Sequence, residues 1–252
     1  MRVGLRLLIL GGTTEASALG RRLAGRCDVA PVLSLAGRTR NPRAPPILFR
    51  IGGFGGVAGL RDYLVGERVQ VVVDATHPFA AQMSRHAAEA CGVLGVPLAA
   101  LTRPAWTPLA GDRWTCVADM ESAVDALGAR PRNVFLTVGA LQLAAFACAP
   151  QHRYIVRTID PPDADIGPAL HRLILARGPF GVVEEIALMR DEGIDVLVTK
   201  NSGGAATAAK IEAARALGIE VVMVERPAPE DVPCFHAVDD LLAWMETHRT
   251  AP

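Results

Sequence analysis

Lysine is almost missing from this chain. Of 26 basic residues only Lys200 and Lys210 are lysines, the rest being arginine. Tyrosine is as scarce, and neither Tyr63 nor Tyr154 has a lysine four residues further on. That excludes the Tyr-x-x-x-Lys dyad of short-chain dehydrogenases. The 5 cysteines are scattered and form no CxxC pair, which argues against a disulfide framework or a structural zinc site and suits a reducing compartment. Neither charge sign is in excess, with 26 basic residues against 26 acidic ones. A nucleic-acid binder relying on phosphate neutralisation would be basic, so no nucleic-acid partner is expected. No apolar run approaches a membrane span. The N-terminal MRVGLRLLIL run is short and leads into Gly-Gly-Thr-Thr-Glu rather than a signal-peptide cleavage site. The predicted location is therefore the cytoplasm. The predominance of arginine leaves two readings open: codon usage, or recognition of carboxylates and phosphates by the guanidinium fork.

What is present is a rhythm of apolar strands and helices. Strands are predicted at Leu7–Leu10, Val29–Leu35, Ile47–Ile51, Val69–Val73 and Pro97–Leu101, with helices near residues 15–24 and 80–92. The proline-rich stretch Arg103–Pro108 interrupts the rhythm and is the expected linker. Strands then resume at Val134–Val138, Tyr154–Arg157, Leu173–Ala176, Val196–Thr199 and Glu220–Val224, with helices at Val182–Glu192, Ala205–Leu217 and Asp239–His248. Such alternation predicts parallel sheets covered on both faces. HAAEACGVLGVPLAALTRP (from His86) and KIEAARALGIEVVMVERP (from Lys210) echo one another. Either the halves are related, or any two βαβ units look alike. The expected fold class is α/β: two Rossmann-like lobes with parallel sheets, residues 1–104 and 105–252, and a cofactor and substrate cleft between them.

Four groups of residues carry candidate chemistry. Gly11, Gly12, Thr13, Thr14 and Glu15 follow the first strand and open a helix, where backbone amides can hold a phosphate. The spacing departs from G-x-G-x-x-G, and no Gly-Lys-Ser/Thr follows to make a Walker site. Ser34, Gly37, Arg38 and Thr39 end the second strand. NAD sites place an acid there and NADP sites favour arginine, so Arg38 predicts NADPH. Gly53, in the glycine run after the third strand, joins this set. Asp74, Thr76 and His77 end a central strand. They either line the cofactor or anchor the turn, with Pro78 suited to a first helical turn. In the second half Arg157, Lys200, Ser202 and Gly203 lie at predicted strand ends. They are expected to bind substrate carboxylates, the alternative for Arg157 and Lys200 being an internal salt bridge to Asp160 or Glu184. No metal ligand set is predicted, and no catalytic side chain is assigned.

GGTTEA, S-x-A-G-R-T, DATHPFA, RP-W, VFLTVGAL and K-N-S-G-G, in that order, resemble the precorrin-6A reductase family over nearly the whole chain. The resemblance implies a cobalamin-pathway enzyme that reduces a ring double bond of a tetrapyrrole, precorrin-6A, with NADPH to give precorrin-6B. Whether the macrocycle carries cobalt stays open. So do two rivals, a reductase of another substrate and a nucleotide-sensing module without chemistry.

Overall fold

Apolar residues that recur without polar interruption become strands buried on both faces. In the computed structural model, which describes residues 4–37, 44–162 and 170–248, the chain forms two compact units. Met1–Pro104 with Ala228–Pro252 makes the first, and Ala105–Pro227 the second.

The first unit runs β1 (Leu5–Leu10), α1 (Thr14–Leu23), β2 (Val29–Leu35), β3 (Leu48–Ile51), α2 (Gly56–Gly66), β4 (Val71–Asp74), α3 (Ala81–Leu94) and β5 (Leu98–Leu101). The second runs β6 (Arg113–Val117), α4 (Met120–Leu127), β7 (Asn133–Leu136), a 3₁₀ helix Ala140–Cys148, β8 (Arg153–Thr158), β9 (Leu170–Leu175), α5 (Val182–Asp191), β10 (Val196–Lys200), α6 (Ala209–Leu217) and β11 (Glu220–Val224). The chain then returns to the first unit with β12 (Cys234–Phe235) and α7 (Val238–Thr247).

Both sheets are parallel throughout. Their orders are β3-β2-β1-β4-β5-β12 and β9-β8-β7-β10-β11-β6. The first is the strand order of dinucleotide-binding sheets, in which building reverses beside the first strand and ligands lie beyond the carboxyl ends; the second repeats it from β7 to β11, with β6 added at the edge. The expected α/β class with two parallel sheets is what the chain adopts. The two echoing segments occupy one topological place, since α3 leads into β5 and α6 into β11, the fifth strand of each sheet. Each helix ends on a left-handed glycine, Gly95 (φ 67°) and Gly218 (φ 66°), where a side chain would be strained.

The expected lobe boundary needs one correction. The break after Pro104 agrees with the contacts, but residues 228–252 belong with the first unit. Leu241 and Met245 of α7 are buried in its core beside Leu7, Leu19 and Val73, with Phe235 and Trp244 packed against them. β12 pairs with β5 through Ala100 N–H to Pro233 O (2.8 Å) and Thr102 N–H to Phe235 O (2.9 Å). A two-residue strand leaves no period to read. The edge strand β6 was not foreseen either, because RWTCV sits half exposed and lacks a continuous apolar run.

Candidate functional site

In the first unit the strand ends nearest the reversal point are those of β1 and β4. Gly11 follows β1 tightly, since a Cβ there would stand 2.4 Å from Leu33 Cδ1. Gly12 has φ 123° and nothing within 4 Å of a notional Cβ, so backbone faces open space. Thr13 caps α1: its Oγ1 accepts from Ala16 N–H (3.1 Å) and donates to Ala75 O beyond β4 (2.7 Å). The Thr13 hydroxyl proton is thus committed to the protein. What remains for an anion is the amide-bearing helix start. The residues present fit a phosphate, because Gly12 leaves room that any side chain would fill.

Glu15, in the first turn of α1, pairs with Arg103 (2.8 Å) and accepts from the Thr14 hydroxyl (3.0 Å). Burial would raise its carboxyl, but its own backbone N–H, Arg103 and Thr14 outweigh burial and hold it below the ordinary value. Its charge is therefore neutralised locally by Arg103, at the start of α1.

At the end of β2, Ser34 is buried and its hydroxyl accepts from Arg50 Nη1 (2.7 Å). Arg50 also donates to Gly52 O (2.9 Å) and Gly53 O (3.1 Å), and its guanidinium lies 4.1 Å from the centre of the Phe54 ring. Ser34 and Gly53 are therefore held by the protein, through an arginine that the sequence reading passed over. Its signal was position, the penultimate residue of β3 beside the strand end it braces. Gly37 has φ 75°. Arg38 and Thr39 lie outside the described residues.

Asp74 ends β4 and accepts from Thr76 N–H (3.0 Å) and Thr76 Oγ1 (2.6 Å). Of the two readings of this motif, the turn anchor is the one these bonds build. His77 Nδ1 accepts from Phe79 N–H (3.2 Å). Pro78 falls in the turn before α3 and not in its first turn, because α3 starts at Ala81.

In the second unit, Arg157 at the end of β8 is not exposed for substrate. It forms a two-pronged ion pair with Glu185 of α5, through Nη1–Oε1 and through Nη2–Oε2 at 2.9 Å. Both side chains are buried, at 6% and 3% exposure. The guanidinium stacks 3.8 Å from the Phe180 ring centre. The internal salt bridge is therefore the correct reading for Arg157, with Glu185 as the partner in place of Asp160 or Glu184. Charge burial demands it, because a lone buried cation is far more costly than a paired one.

Lys200 ends β10, half-buried, with Nζ 3.9 Å from the Cβ position of Gly139 beyond β7. The following loop wraps Trp106. Asn201 accepts from Trp106 N–H (2.8 Å) and donates to Trp106 O (3.0 Å), and the indole donates to Gly204 O (3.1 Å). Arg226 holds the loop from below through Asn201 O (2.8 Å) and Ser202 O (3.1 Å). Gly203 (φ 68°) and Gly204 (φ 75°) supply the left-handed turns. Lys200, Ser202 and Gly203 thus converge on one loop, while Arg157 is engaged by Glu185.

The residue the sequence reading missed is Lys210, on the first turn of α6. It is buried, with Nζ 5.7 Å from the Trp106 ring centre. Burial, then Arg157, with Lys200 in the same direction and only Glu185 opposing, pushes its ammonium down to about 7. The available signal was a lysine set among Ala209, Ile211, Ala213 and Ala214, all of which are buried. Among the described residues no group of three or more His, Cys, Asp or Glu is placed to hold a metal ion, and no helix is long and apolar enough to cross a membrane.

Residues 6–246 match the family model described as precorrin-6x reductase CbiJ/CobK. A precorrin-6A reductase of Sinorhizobium sp is 52% identical over 244 residues, covering 95% of this chain and 94% of that one. A cobalt-precorrin-6A reductase of Priestia megaterium is 28% identical, covering 89% and 91%. The solved structure of CobK precorrin-6A reductase superposes with a TM-score of 0.91 at 48% identity, covering 98% of each chain.

Proposed function

The chain belongs to the precorrin-6x reductase family, and from that premise we propose that it reduces precorrin-6A to precorrin-6B with NADPH. The single observation that carries the cofactor half is the Gly11-Gly12 turn at the reversal point of a dinucleotide-type sheet, with open space before Gly12 and the start of α1 behind it. The stronger likeness to a relative named for precorrin-6A, set against the weaker one to a cobalt-precorrin relative, favours the metal-free macrocycle.

The nicotinamide supplies a hydride when bound. The work of this chain is to bind, orient and exclude water. Gly12 and the first amides of α1 would hold the pyrophosphate. Ser34, Gly37, Arg38, Thr39 and Gly53 would surround the adenosine end, with Arg38 on the 2′-phosphate and Arg50 keeping Ser34 and Gly53 in place. Asp74, Thr76 and His77 shape the turn beside the phosphate loop. In the second unit Lys200, Ser202 and Gly203 would meet the acidic arms of the macrocycle. Arg157 positions this region through Glu185.

The test is steady-state reduction of precorrin-6A under anaerobic conditions with each cofactor. Wild type should prefer NADPH. Arg38→Ala should raise the Michaelis constant for NADPH about ten-fold or more, as expected for loss of a charge-assisted bidentate contact, and leave that for NADH nearly unchanged. Equal losses for both cofactors would contradict the assignment.

A further inference from the structure

In the second unit Lys210 lies within electrostatic reach of Arg157, Lys200 and Glu185. Arg157 comes from β8, Lys200 from β10 and Lys210 from α6, while among the described residues Glu185 of α5 is the acid acting on Lys210. Glu185 is already held by both prongs of Arg157. Among the described residues Lys210 Nζ has no hydrogen-bond acceptor, and its sole directed neighbour is the Trp106 ring. A buried ammonium costs free energy unless it finds an anion and acceptors. Among the described residues this one finds no acceptor, and as an anion it finds Glu185, which both prongs of Arg157 already hold. Asn201 holds the Trp106 backbone and Gly204 O holds its indole N–H, so the ring cannot swing away without breaking the indole bond.

We infer that Lys210 Nζ holds a carboxylate of the substrate, in a subsite bounded by Lys200, the Arg157–Glu185 pair and the face of Trp106. The inference rests on the proposed function for the identity of the ligand, though not for its charge. An entering carboxylate supplies the acceptor that Lys210 Nζ lacks among the described residues. It also stabilises the charged form of Lys210. Since that amine is held near neutrality without a ligand, binding above neutral pH draws one proton from solvent onto Nζ. The macrocycle would therefore bind less tightly as pH rises past about 7. Phosphates of the cofactor are the other anions at hand, and the test separates them.

Lysine labelled with ¹³C at Cε gives signals from Lys200 and Lys210 only, since the chain has no other lysine, and Lys200→Arg assigns them. The protein is titrated with pH alone, with NADP⁺, and with NADP⁺ plus precorrin-6A, a mixture in which no hydride is available. The expected result is that precorrin-6A raises the Lys210 midpoint by about one unit or more, and NADP⁺ alone does not. Lys210→Met should bind precorrin-6A about ten-fold or more weakly with unchanged NADPH affinity, whereas Lys210→Arg should keep most of the affinity and lose the proton uptake. Lys210→Met removes a buried charge, so it should fold, and its melting temperature checks this. An unmoved Lys210 midpoint, or wild-type affinity in Lys210→Met, overturns the subsite. If wild type does not bind precorrin-6A at all, the functional reading falls. The same titration with citrate then decides the subsite: a raised Lys210 midpoint supports it, and an unmoved one overturns it.

Discussion

Arg157 and Glu185 form a pair whose two members cannot be separated cheaply. Both are buried, so loss of one leaves an uncompensated charge, worth about 3–5 kcal/mol. Arg157→Ala and Glu185→Ala should each lower the urea midpoint accordingly. Arg157→Met with Glu185→Met should recover most of that loss, because apolar side chains of similar volume replace the pair without a stranded charge. Equal instability in the double variant would show that packing against Phe180, not charge, carries the effect. Lys210 gives the residue scale a pH signature. Its ordinary value is 10.5, and the fold depresses it to about 7. Between those values the unfolded chain binds more protons than the native one, so stability rises with pH, by at most ~1.4 kcal/mol per unit. Below about 7 the amine is charged in both states and the full cost of burying the charge is present. Unfolding of wild type and Lys210→Met at neutral and alkaline pH checks this: wild type should gain on the variant as pH rises. A constant gap would mean that Lys210 is charged in the native state throughout.

Elements with a continuous apolar run were legible before any coordinates. β2 and β11 fall where the sequence puts them, and β1, β4, β5, β7, β8 and β10 within a few residues, because strands buried on both faces need no alternation. α6 was partly misread. The expected helix from Ala205 is a 3₁₀ turn, Ala205–Thr207, and α6 proper starts at Ala209, since the Gly203-Gly204 turn must first clear Trp106. At the candidate sites the glycine turn could be read from its residues, whereas Arg50 and Lys210 left only a signal of position, and their partners, like the Arg157–Glu185 pair, could not be read. Each contact joins residues distant in sequence, such as Arg157 and Glu185, 28 positions apart. The hardest elements were β12 and α7, whose place depends on tertiary pairing alone. A chain ending at Pro227 therefore makes a sharp prediction. It would lose the burial of Leu241 and Met245, worth about 1.5–3 kcal/mol each, and the bonds from β5 to β12. Hydrogen exchange should quicken in β1, β4 and β5 while β7, β8 and β10 stay protected. Uniform loss of protection, or none, would contradict the division of the chain into these two units.

At the scale of the whole molecule, each sheet is completed by the strand that follows the other sheet's fifth strand. β6 follows β5 and enters the second sheet, and β12 follows β11 and enters the first. The second unit is thus one unbroken stretch carrying all its strands, whereas the first takes its last strand, β12, from beyond the second, and each has its own core. The proposed division of labour follows the site chemistry. An open glycine turn and helix start suit a pyrophosphate in the first unit, and the buried Lys210 suits a carboxylate in the second. The central claim is that this chain passes a hydride from NADPH to precorrin-6A. The most direct measurement is a single anaerobic turnover of precorrin-6A with NADPH carrying deuterium at the transferred position of the nicotinamide, followed by mass spectrometry of the macrocycle. The account predicts a product heavier by one deuterium and one hydrogen, with one cofactor oxidised per macrocycle. A macrocycle of unchanged mass, or one reduced without deuterium, would contradict it.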